Sequence, residues 1–156
     1  MRLDQDLASF MGSPVMIILG TSDDALQPEI GRGVGALVWP EKGQVELVIS
    51  AWQWPGTLAN VRANGRLSVT FARPSDYVSY QVKGRACVVP ATKDHLARAA
   101  AYIDAVGAVL AELGLGRDIA APWLVNRDPA VLSLSVESVF VQTPGAKAGQ
   151  MLQGGS

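Results

Sequence analysis

Between Gln44 and Ala72 the chain reads strand, short helix, strand, and this passage constrains the fold more than any other. Gln44-Val-Glu-Leu-Val-Ile-Ser50 is a mostly apolar run of strand length. Ala51-Trp-Gln-Trp-Pro-Gly56 interrupts it with proline and glycine. Thr57-Leu-Ala-Asn-Val-Arg-Ala-Asn64 fits a short helix, and Gly65-Arg-Leu-Ser-Val-Thr-Phe-Ala72 returns as a strand. A buried strand that runs straight into a helix N-terminus delivers free backbone N–H groups to one place. Such a place favours an anion. Arg62 and Arg66 follow close by.

The rest of the chain repeats the strand signal. Residues 1–12 form a lead-in with Leu3, Leu7 and Phe10 at helical spacing. Val15–Leu19 reads as a buried strand, and Thr21–Asp24 as a turn. Arg32–Trp39 is a second strand with two interior glycines, where something approaches the backbone closely. Pro40-Glu-Lys-Gly43 turns the chain into Val45–Ile49. Leu67–Phe71 is a fourth strand. Tyr77–Pro90 is a long fifth strand, with a bulge or bend expected at Gly84. Thr92 caps a helix whose apolar face runs Leu96, Ala99, Ile103, Val106, Leu110 and Leu113, and Gly114 and Gly116 end it. A loop at 117–130 carries Trp123 and two prolines, and Val131–Gln142 alternates as a sixth strand. The tail, 144–156, is rich in small residues and is expected to be partly mobile.

Six strands joined mostly by short turns call for antiparallel pairing, and closure into a barrel removes exposed edges. The expected fold is mainly β: a six-stranded antiparallel split barrel of Greek-key type over residues 13–143, with one short and one long inserted helix. No sustained βαβ alternation or repeat is present, which argues against Rossmann and solenoid folds.

Apolar residues make up 49% of the 156 and charged residues 17%. That leaves more apolar surface than a small monomer can hide, so a homodimer is expected. A net charge of −1 with dispersed cations argues against nucleic-acid binding. No stretch approaches the length of a membrane span, and Val15–Leu19 is too short for a signal peptide. One cysteine, Cys87, allows no internal disulfide. Together these features fit a cytoplasmic protein.

Little catalytic chemistry is legible. The single histidine, His95, reads as a solvent-facing residue in the first turn of the long helix. Cys87, mid-strand, reads as a small buried apolar residue. One His and one Cys do not make a four-ligand zinc site, and no metal is expected. The carboxylates show no paired spacing, so no catalytic residue is assigned. A chain of this kind can still be an enzyme if a cofactor carries the chemistry.

The order of elements resembles the flavin-binding split-barrel family, the pyridoxamine 5'-phosphate oxidase-like proteins. The resemblance runs from about Ser13 to Thr143. It rests on Arg32-x-Val34, the hairpin at Gly43, Val48-Ile-Ser50, the segment from Thr57 to Val69, and Val82-Lys-Gly84-Arg-Ala86. Asn60 to Val69 is similar to the pattern Asn-Leu-Arg-x-Asn-Pro-x-Val, with Gly65 in place of proline.

The resemblance implies a homodimer with flavin mononucleotide (FMN) at its interface. The phosphate would meet Arg32 and the helix start at Thr57 and Leu58. The ring would lie along Val34, Ile49, Ser50 and Ala51. It further implies an oxidoreductase acting on a small molecule. Alternatives are a non-enzymatic binder of flavin or haem, a deazaflavin cofactor, or a cofactor-free dimer. Members that hold flavin tightly often carry lysine where this chain has Thr57, and threonine adds no charge. Read from the residues alone, Arg32 is equally a solvated edge charge, and Arg62 and Arg66 are surface residues. Trp52 and Trp54 either stack on a ring or anchor packing. Trp123 is a lid on the barrel end or an interface residue.

Overall fold

The computed structural model describes residues 1–154. Helix α1 (Gln5–Met11) leads into β1 (Met16–Ser22), β2 (Pro28–Trp39) and β3 (Gln44–Ser50). Helix α2 (Pro55–Asn64) then precedes β4 (Arg66–Ala72) and β5 (Ser79–Val89). The long α3 (Lys93–Glu112) and one-turn α4 (Arg117–Ala120) come before β6 (Pro129–Val141) and β7 (Met151–Gly154). The strands are antiparallel in the order β3-β2-β1-β4-β5-β6-β7, and a β3–β6 pairing closes the first six into a barrel. The split-barrel expectation holds.

Strand β6 makes closure possible through its length. One edge pairs with β5 along Val131–Val141. The other pairs with β3 through Pro129–Ser135 and then with β7 through Ser138–Phe140. The tail therefore contributes a seventh strand that its small-residue composition hides. The end of the tail, residues 155–156, lies outside the described residues.

Alternating side chains fill the barrel: Ile17, Leu19, Val45, Leu47, Val69, Phe71, Val82, Leu132 and Leu134 are all buried. Gly84 marks the expected bulge, with a register shift between Lys83 and Gly84. A Cβ there would lie within bonding distance of the Ser135 carbonyl oxygen, so no side chain fits. The glycines of β2 admit the protein's own atoms. A Cβ at Gly33 would meet Ile17 Cγ2 at 2.7 Å, and one at Gly35 would meet Ala99 Cα of α3 at 3.3 Å.

Thr92 caps α3 and Gly114, with φ +84°, follows its end, both as the sequence predicts. The buried face is rotated from the predicted one. It runs His95, Ala99, Tyr102, Val106 and Leu110, while Leu96 and Leu113 are exposed. His95 is thus not solvent-facing. Its Nδ1 accepts the Thr92 N–H at 2.9 Å, and its Nε2 meets Glu46 Oε2 at 2.7 Å. Burial is favourable because both ring nitrogens are satisfied. Cys87, in contrast to the expected burial, is exposed. It shares the outward parity of Lys83 and Arg85 on β5, which the period of two dictates.

Candidate functional site

The β3–α2 junction carries most of the predicted site residues. Helix α2 starts at Pro55, which has no N–H to leave unpaired, and no side chain caps it. The N–H groups of Gly56 and Thr57 lie in the first turn, ahead of any intrahelical acceptor. Thr57 is fully buried, and its Oγ1 has no hydrogen-bond partner. It faces Gly31 of β2 so closely that a Cβ there would sit 2.7 Å from the hydroxyl. Glu29 stands at the same helix end: a Cβ on Gly56 would lie 3.2 Å from Glu29 Oε1. A carboxylate in this place is favoured by the helix dipole and opposes a second anion.

Ser50 organises the loop that follows β3. Its Oγ donates to the Arg127 carbonyl at 2.6 Å and accepts from the Gln53 N–H at 3.2 Å. The Ala51 N–H donates to the Asp128 carbonyl at 2.8 Å, and Gln53 Nε2 donates to that of Pro122 at 2.8 Å. These bonds tie the Trp-rich loop to residues 122–128. Two arginines lie over tryptophan rings in the same region. Arg127 lies 4.5 Å from the Trp52 ring centroid, and Arg32 lies 5.3 Å from that of Trp123.

Of the predicted site residues, Val34, Ile49, Ser50, Thr57 and Leu58 are buried within the subunit, whereas Arg32 and Ala51 are partly exposed. Gly31 faces Thr57, so its neighbour Arg32 projects from the opposite face of β2, toward Trp123. Ser50, Ala51, Thr57 and Leu58 all lie at the β3–α2 junction, whereas the Arg32 side chain lies against Trp123.

The asparagines of the family-like segment tie α2 down. Asn60 Nδ2 donates to Thr21 Oγ1 at 3.1 Å, and Asn64 Nδ2 donates to the Ser22 carbonyl at 2.8 Å. Asn64 Oδ1 accepts the Arg66 N–H at 3.0 Å. Gly65 turns the chain with φ +71°, where proline's fixed negative φ could not serve. Arg62 and Arg66 are exposed, as surface residues.

Three solved structures share this architecture. The HupZ protein of Group A Streptococcus superposes with a TM-score of 0.59 at 20% identity, over 94% of this chain and 99% of that one. A candidate pyridoxamine 5'-phosphate oxidase from Lactobacillus delbrueckii gives 0.55 at 13% identity, over 89% and 93%. The chain has the split-barrel fold of the pyridoxamine 5'-phosphate oxidase-like proteins. HutZ, the haem storage protein of Vibrio cholerae, has the same split barrel, with a TM-score of 0.52 at 18% identity over 90% and 95%. The fold therefore serves an oxidase-like protein and a haem store alike. No protein-family model and no curated protein matches the sequence.

Among the described residues of this split barrel, no group of three or more His, Cys, Asp or Glu is placed to hold a metal ion. No described helix is long and apolar enough to cross a membrane. An open groove of about 520 Å³ reaches Glu29 from the outer face of the sheet, where Arg66, Lys83 and Arg85 line it with Glu29 and Glu137. Composition gave no hint of this groove, but strand parity places Lys83 and Arg85 together.

Proposed function

We propose that the chain binds FMN as a homodimer and acts as an oxidoreductase on a small molecule. The observation that carries this reading is the unpartnered, fully buried hydroxyl of Thr57 in the first turn of α2. A buried polar group without a partner costs about 1–3 kcal/mol. The N–H groups of Gly56 and Thr57 suit a phosphate, and the hydroxyl would join them once the residues that cover it shift. Glu29, exposed at the same helix end, would have to turn away for that phosphate to bind. Ala51 and Trp52 would border the ring. Flavin, when bound, supplies the hydride chemistry. The second copy would cover exposed apolar side chains such as Trp52.

Haem is the competing ligand, suggested by the likeness to HutZ. The single histidine argues for flavin instead, because both of its ring nitrogens are engaged within the fold. Titration of the purified protein with FMN, followed by flavin fluorescence, tests the proposal. Saturable quenching is expected, weakened about tenfold by Thr57→Val and unchanged in Arg62→Ala. A protein that leaves the fluorescence untouched, or that takes up haem in preference, rules out the flavin reading. Oxidation of a reduced nicotinamide donor by the loaded protein separates an enzyme from a binder.

A further inference from the structure

The outer face of β4 and β5 opposes like charges. Arg66 and Arg85 are direct partners across the β4–β5 ladder, and Lys83 stands on the diagonal, opposite Ser68. All three are exposed. Like charges facing each other across a sheet destabilise it. None of the ion pairs among the described residues involves any of the three. The groove's two carboxylates do not relieve them: Glu29 is drawn to the start of α2, and Glu137 forms no ion pair among the described residues.

Each cation is nevertheless held in place. Arg85 Nη1 donates to the Asn64 carbonyl at 2.9 Å, and Arg66 Nη2 to that of Asp23 at 3.4 Å. Lys83 Nζ lies 5.0 Å from the Phe140 ring centroid. A guanidinium carries five N–H donors, and its planar fork matches a phosphate. The hydrogen bonds named leave most of those donors free. The groove holds about 520 Å³, the size of a small-molecule site.

We propose that this groove binds the dianionic phosphate group of a small organic molecule, bridged between Arg66 and Arg85 with Lys83 at its side. The proposal stands whether or not the chain binds flavin at α2. The bland alternative is three solvated cations that bind nothing.

Calorimetric titration of the full chain with inorganic pyrophosphate tests it. Wild type should bind saturably and more weakly as salt rises. Arg66→Gln with Arg85→Gln should weaken binding by about tenfold to a hundredfold, Lys83→Gln less, and Thr57→Val not at all. The unliganded double variant should unfold no earlier than wild type, because opposed charges have been removed. Failure of wild type to bind, or equal binding by the double variant, overturns the proposal. So does a double variant that turns a dimer into monomers, since the cations then serve the contact between copies. FMN binding lost in the double variant but kept in Thr57→Val would move the flavin phosphate here, refuting the α2 site and leaving the groove standing.

Discussion

The imidazole of His95 and the carboxylate of Glu46 meet at 2.7 Å, joining the first turn of α3 to β3. Because Nδ1 accepts the Thr92 N–H, the hydrogen-bond network assigns the ring proton to Nε2, which donates it to Glu46. The same ring thus closes a capping box and ties the helix to the barrel. His95→Ala should lower stability by about 2 kcal/mol. A lower urea midpoint at unchanged m-value is the expected reading. An unshifted midpoint would show that the contact contributes nothing.

Tyr102 makes a second tie between α3 and the barrel, donating to the Val15 carbonyl at 2.7 Å. Burial pushes its phenol above the ordinary tyrosine value, while the nearby Arg32 charge works the other way. A raised folded value means that the folded state holds the proton more tightly. Its stabilisation is present below about pH 10 and declines as pH rises past the ordinary tyrosine value toward the folded one. Tyr102→Phe should cost about 1 kcal/mol at neutral pH and make the alkaline fall in stability shallower. Denaturation curves across alkaline pH check both; an unchanged alkaline slope contradicts the argument.

Gly84 and Gly107 should respond oppositely to alanine. A Cβ at Gly84 collides with the Ser135 backbone, so Gly84→Ala should cost about 3 kcal/mol or more. A Cβ at Gly107, inside α3, would meet only Leu124 Cδ1 at 4.0 Å. Gly107→Ala should therefore stabilise by about 0.5–1 kcal/mol through helix propensity. Thermal midpoints of the two variants should bracket wild type.

Thr57→Val separates stability from binding. Valine keeps the shape and removes a buried hydroxyl that has no partner. Without ligand the variant should gain about 1 kcal/mol, while its FMN affinity falls. A variant that loses stability would show that the hydroxyl is satisfied within the fold and would count against FMN binding at α2.

Local pattern was enough for the passage from Gln44 to Ala72, whose strand, helix and strand lie where proline, glycine and apolar spacing put them. The cap at Thr92, the stop at Gly114 and the bulge at Gly84 belong with it. Each depends on residues adjacent in the chain. The asparagines of α2 were legible as a pattern, but their work of holding β1 was not, since Thr21 and Ser22 lie about forty positions away.

By itself the sequence determined six strands, two principal helices and their punctuation, because these follow from backbone preferences and the periods of burial. Only the tertiary structure decided which face of α3 points inward. A His-Thr-Glu contact from two elements made the burial of a polar ring favourable, and Leu96 was left outside. Closure through β3–β6, the seventh strand on the same edge of β6, and the facing of Arg66 by Arg85 are likewise matters of register between distant segments. Register is set by how whole strands bury one face together, a condition no local stretch of residues contains.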